Sequence, residues 1–209
     1  MTNSLTSPTD RRPATARGPA VTLAVAGALL ATGGLLHPSG PWTAQLVDLR
    51  WIPAHAVLLL GAVAATVALF LLAARLDLPR PVRTATRVAG VGTALGAVEM
   101  VPHLLAFTDA HAVMHGGPTP LLDVHMQLGL VTNVVLGLSV AVLAVLAGRT
   151  RALGTGPAVA VIAVVGGVAF AAAAPMIVAT GVEAFAILFS GSVLIGLWFL
   201  IQGIALARR

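Results

Sequence analysis

The chain has 209 residues, of which 58% are hydrophobic and only 9% are charged, and its mean hydropathy is +0.98. A soluble domain carries about 25% charged residues, so this composition excludes an ordinary soluble protein and indicates an integral membrane protein. The formal net charge of +5 reflects membrane sidedness, since no nucleic-acid-binding motif is present and no nucleic-acid partner is expected. The chain has no cysteine, which excludes disulfides, thiolate metal sites and iron–sulfur clusters.

Residues 1–18 are polar and lack an apolar period, which predicts a disordered cytoplasmic tail. Residues 19–209 are predicted to form a single transmembrane domain. It contains six apolar runs, each long enough to cross a bilayer, at about 20–36, 52–74, 86–108, 121–147, 156–178 and 182–206. The sequence therefore predicts an all-α, polytopic bundle of six transmembrane helices. A five-span alternative would make one run re-entrant, and 156–178 is the weakest of the six.

The arginines predict the orientation of this bundle. The chain has twelve arginines and no lysine, and only Arg50 falls on the side opposite the other eleven. Those eleven are Arg11, Arg12, Arg17, Arg75, Arg80, Arg83, Arg87, Arg149, Arg151, Arg208 and Arg209. The positive-inside rule then makes both termini cytoplasmic. Arginine without lysine, together with abundant Ala, Gly and Val, is typical of a GC-rich bacterial genome, so we expect a bacterial plasma membrane.

The histidines all fall on the other side. With this topology all six are extracytoplasmic, as are five of the seven acidic residues, and residues 99–125 alone hold four of the histidines. Trp42 and Trp51 are expected at the same interface, where amphipathic rings anchor a membrane protein. The sequence thus predicts a polar site near the outer surface.

Within the third span, Gly92, Gly96, Glu99 and His103 are spaced by four, three and four residues. This spacing puts them on one helix face. Glycines four apart allow a neighbouring helix to approach closely, and a carboxylate within a span must face the bundle or water. We therefore expect Glu99 and His103 to point into the bundle together.

Two other spans begin with a similar face. His125 is followed at helical spacing by Gly129 and Thr132, and His55 is followed by Ala62 and Ala65. We therefore expect His55, Glu99, His103 and His125 to converge, with Glu183 at the start of the last span as a fifth candidate ligand. Imidazoles with a carboxylate form a ligand set suited to a transition metal such as Zn, Fe, Mn or Cu.

Three other interpretations stay open. Haem b could be bound by His55 and His125 as axial ligands, although few aromatic residues are available to pack a porphyrin. The cluster could be a structural polar contact between helices, or part of a proton or substrate path.

The sequence does not decide whether His37 contributes to a site. His111 and His115 form a ligand pair only if their loop is helical.

These observations predict a multi-pass membrane protein with a metal- or haem-binding cluster, either a membrane oxidoreductase or another metal-dependent enzyme. The alternatives are an accessory membrane subunit and a small transporter. A transporter needs polar groups along a whole path, and the inner half offers little beyond Ser139, Ser192 and Gln202. The expected partners are the lipid bilayer and either another membrane protein or a second copy of the chain.

Overall fold

A computed structural model describes residues 17–74 and 77–209 of the chain. The predicted tail, with Arg11 and Arg12, therefore lies largely outside the described residues, as does Arg75. The described elements are all helical, as the sequence predicts. The first helix begins at Arg17, so its first turn includes the last two residues that the sequence assigns to the tail.

The α-helices are numbered in chain order. They are α1 (Arg17–Leu36), α2 (Trp42–Gln45), α3 (Trp51–Ala73), α4 (Arg80–Leu105), α5 (Ala110–His115), α6 (Pro120–Thr150), α7 (Pro157–Thr180) and α8 (Gly191–Ala207). Two 3₁₀ helices join them, Ala106–Asp109 after α4 and Glu183–Ser190 before α8. Six helical segments are long and apolar enough to cross a membrane, which makes this a multi-pass membrane protein and confirms the six-helix prediction.

Proline and glycine set several helix boundaries. Pro120 and Pro157 are the first residues of α6 and α7. A backbone N–H at this position has no partner within the helix, so proline, which has no N–H, loses no hydrogen bond there. Gly181 ends α7 in the left-handed conformation at φ 68°, which glycine adopts without a steric penalty. The last span differs from the sequence prediction because its first eight residues wind as a 3₁₀ helix. That helix ends at Ser190, and the next residue, Gly191, packs directly on Gly166 of α7.

The six long helices form a closed ring. Each packs against its neighbours along the chain, and α1 packs against α8. Glycines make several of these contacts close. A methyl group at Gly137 of α6 would overlap the carbonyl oxygen of Gly167 in α7, and one at Gly167 would overlap that of Gly137. Small residues at helix contacts are typical of membrane bundles, where close packing of the backbones supplies much of the attraction.

The two ends of the ring differ in chemistry. The histidine end holds the last residues of α1 and α4 and the first residues of α3 and α6. The opposite, arginine end carries most of the described arginines, and there Arg209 donates a hydrogen bond to the carbonyl oxygen of Arg151 (3.1 Å). Between the ends lies an apolar core that includes Leu69, Trp198 and Phe199. Valines such as Val131 and Val161 face outward and are exposed, as expected of a surface in contact with lipid.

Candidate metal centre

Four segments of the chain bring polar side chains together at the histidine end. His37 follows the last residue of α1, His55 lies in the second turn of α3, and His125 lies in the second turn of α6. Glu99 and His103 lie in the last two turns of α4. Because α1, α3, α4 and α6 are consecutive in the ring and alternate in direction, these turns meet at one level of the bundle. We call these five residues the His/Glu cluster.

The four imidazole rings form a row. The ring centroids of His37 and His55 are 4.8 Å apart, those of His55 and His103 are 4.2 Å apart, and those of His103 and His125 are 3.7 Å apart. The last pair is stacked, with an angle of 23° between the ring planes. Across the row, Nε2 of His55 lies 3.0 Å from Nε2 of His103.

Backbone carbonyls fix the protonation of two of these rings. Nδ1 of His55 lies 2.6 Å from the carbonyl oxygen of Trp51, and Nδ1 of His37 lies 2.7 Å from that of Pro38. A carbonyl oxygen can only accept a hydrogen bond, so each Nδ1 carries the proton and each Nε2 offers a lone pair. A histidine that donates its Nδ1–H to a carbonyl while its Nε2 is free has the usual arrangement of a metal ligand.

Glu99 joins two histidines at the centre of the cluster. Its side chain is buried, its Oε1 accepts a hydrogen bond from Nδ1 of His125, and the same oxygen lies 3.7 Å from Nδ1 of His103. The glycine face predicted from the sequence explains this position. Gly92 and Gly96 pack against Ser139 and Leu136 of α6, which turns Glu99 toward that helix. A buried carboxylate needs such partners, because an unpaired charge in an apolar interior is strongly unfavourable.

Aromatic rings cover the cluster. Trp51 is buried, and its ring centroid lies 4.1 Å from that of His55, whereas Trp42 of α2 lies edge-on to His125 at 6.0 Å. The sequence predicts Trp51 at the outer membrane interface, and the structure shows that its ring is buried there in a small apolar group with Leu46 and Ala106. Burial is tolerated because its indole N–H donates to the carbonyl oxygen of Leu104 (3.2 Å).

Asp109 ties the helices of the cluster together. Its buried carboxylate accepts hydrogen bonds from the backbone N–H groups of Leu121 (2.8 Å) and Leu122 (2.9 Å) in the first turn of α6. These N–H groups have no partner within the helix, and a negative charge is favourable at a helix N-terminus. The contact connects the segment after His103 to the turn before His125. Asp109 therefore links the two chain segments that carry the stacked rings, a contact that its loop position in the sequence does not indicate.

The other candidates are not members of the two potential ligand groups. Glu183 is exposed at the start of the second 3₁₀ helix and belongs to neither potential metal-binding group found among the described residues. His111 and His115 do lie on a helix, α5, and their rings stack at 4.1 Å, but both are exposed. His37, which the sequence leaves undecided, is part of the cluster. The sequence feature that could have indicated His37 is its position at the end of the first span, on the same side of the membrane as the other histidines.

No protein-family model, no curated protein and no solved structure matches the chain.

Proposed function

We propose that the protein is a membrane-embedded metalloprotein, that the His/Glu cluster binds a first-row transition metal, and that the bound metal serves a membrane enzyme of the oxidoreductase class. The single observation that carries this proposal is the convergence of four imidazoles and one carboxylate from four segments of the chain. Two sets of three potential ligands, with ligand atoms within 4.8 Å of one another, can be drawn from them.

The facing nitrogens of His55 and His103 suit a bound cation. If His103 carries its proton on Nδ1, toward Glu99, then two Nε2 lone pairs face each other across 3.0 Å, and a metal ion there would be bound by both. If it carries the proton on Nε2, that N–H donates to Nε2 of His55 and the rings form an ordinary hydrogen bond without a metal. Two nitrogens on a tetrahedral zinc at about 2.0–2.1 Å lie about 3.3–3.4 Å apart, close to the spacing observed here.

The ligand count favours catalysis over a structural role for the metal. Structural zinc sites in proteins are closed by four protein ligands, whereas catalytic sites use three and leave a position for water or substrate. Each of the two ligand sets has three members. Two histidines with one carboxylate are moreover the ligand set of non-haem iron oxygenases, which supports redox chemistry.

The geometry favours a bare metal ion over haem. Axial ligation by His55 and His125 needs an open slot between their rings for the macrocycle. The ring of His103 occupies that space, with its centroid 4.2 Å from that of His55 and 3.7 Å from that of His125. Transport is disfavoured by the apolar core beneath the cluster, where buried polar groups such as Thr93 and Gln202 are hydrogen-bonded locally.

Metal analysis of the purified protein tests the proposal. We expect metal to co-purify with the full chain or to load at neutral pH, and His103→Ala to lose most of it because both ligand sets contain this residue. His111→Ala, in an exposed histidine outside the cluster, is the matched control and should retain the metal. Circular dichroism would verify that both variants stay helical. Wild-type protein that remains metal-free after loading would contradict the proposal, and a Soret band would instead indicate haem.

A further inference from the structure

His103 is shared by the two potential ligand sets. One set is His37, His55 and His103, and the other is Glu99, His103 and His125. The two ring nitrogens of His103 face different sets, since Nε2 lies 3.0 Å from Nε2 of His55 and Nδ1 lies 3.7 Å from Oε1 of Glu99. The nitrogens of one imidazole point away from each other, so a single ion cannot be bound by both. The cluster therefore consists of two potential metal sites that share the ring of His103, and we call each of them a half-site.

We propose that the cluster holds two transition-metal ions bridged by the imidazolate of His103. This inference rests on the proposed function and specifies its metal content. One ion is bound by Nε2 of His37, His55 and His103, and the other by Nδ1 of His103 together with Glu99 and His125. The first set resembles the three-histidine sites of zinc and copper, and the second is the two-histidine, one-carboxylate set that suits iron and manganese.

The proton balance follows from the chemistry of imidazole. A neutral ring has one lone pair, so His103 can bind a second ion only by losing its remaining N–H proton to solvent. The ion in the second half-site takes the place of the proton on Nδ1 of His125, which points at Glu99. That proton moves to Nε2 of His125, so the ring stays neutral and releases no proton. Two divalent ions exceed the charge of one imidazolate and one carboxylate, so the open positions favour an anion taken from solution or an anionic substrate.

Copper titration of the full chain in detergent tests the bridge. The exposed pair His111 and His115 could bind copper by itself, so every titration uses a chain carrying His111→Ala and His115→Ala. We expect about two Cu²⁺ per chain at neutral pH, with release of about one proton on binding of the second ion. We also expect an electron paramagnetic resonance signal well below that of two isolated ions, because an imidazolate bridge couples their spins antiferromagnetically.

Variants that remove one half-site provide the controls. Glu99→Gln preserves shape and should leave one copper in the three-histidine set, whereas His37→Ala should leave one in the other set. Each should recover the full signal of a single ion. Two ions with an uncoupled signal would overturn the bridge, as would a single ion in the parent chain, although a single ion would leave the proposed metalloprotein function intact. No bound copper, iron, manganese or zinc would overturn both.

Discussion

His37 is the residue of the cluster that lies outside the membrane-spanning helices, and burial lowers the pKa of its imidazole below the ordinary value of 6.5. The folded chain therefore resists protonation of His37 more than the unfolded chain does. As the pH falls through about 6.5, the unfolded chain takes up the proton first, so stability is lost on acidification and is restored above that pH.

We expect the thermal midpoint of the metal-free protein to be lower at about pH 5.5 than at about pH 7.5, and His37→Gln to weaken this dependence. Glutamine keeps a polar side chain of similar size but does not titrate. Differential scanning fluorimetry at both pH values would measure the change. Identical pH dependence in the variant and the wild type would show that another group takes up the proton.

Individual residues show how far the sequence could predict the site. The positions of Glu99 and His103 followed from helical spacing, since the glycines that precede them had to face another helix. Glu183 could not be assigned in the same way, because the start of a span says nothing about its distance from another span around the ring. His37 was undecided because it follows the last turn of α1. The burial of Trp51 depended on a tertiary partner, the carbonyl oxygen of Leu104.

Among the helices, α6 shows how glycine sets the distance between neighbours. Gly137 and Gly129 lie two turns apart on this helix, and both are buried. A methyl group at Gly137 would overlap the backbone of α7, whereas one at Gly129 would meet only the side-chain nitrogen of Asn133 at 3.4 Å, an ordinary contact. The same substitution should therefore have opposite effects at the two positions.

We expect Gly137→Ala to destabilise the protein by about 1–3 kcal/mol, or roughly 2–10 °C in thermal midpoint, because two backbones must separate. Gly129→Ala should be neutral or slightly stabilising, since alanine is a better helix former by about 0.5–1 kcal/mol. Thermal unfolding in detergent, monitored by circular dichroism, would compare the two variants. Equal midpoints would mean that α6 and α7 adjust their separation at little energetic expense.

At the element scale, the spans were predictable because length and hydropathy suffice to find them. Their termini were predicted less well, since α4 begins at Arg80, six residues before the apolar run estimated from the sequence. The first turns of α4, which carry arginine, are helical because the backbone hydrogen bonds of this helix begin before its apolar run does. The closure of the ring by α1 and α8 was not predictable, because it depends on which glycine faces meet, such as Gly27 of α1 and Gly196 of α8.

The whole molecule has a polarity that links the site to one side of the membrane. The His/Glu cluster lies at one end of the ring, and described arginines such as Arg80, Arg149 and Arg208 lie at the other. Positive charge is retained on the cytoplasmic side during insertion. We therefore expect the cluster to lie on the extracytoplasmic side of the membrane.

Single introduced cysteines can test this orientation without background labelling, because the chain has no cysteine of its own. Thr43, between α1 and α3, and Thr150, in the last turn of α6, are exposed at opposite ends of the bundle. We expect a membrane-impermeant maleimide to label Thr43→Cys in intact cells and to label Thr150→Cys only after the membrane is permeabilised. The reverse pattern would place the histidine end in the cytoplasm. The two half-sites would keep their geometry, but the proposed metal would then have to come from the cytoplasmic pool.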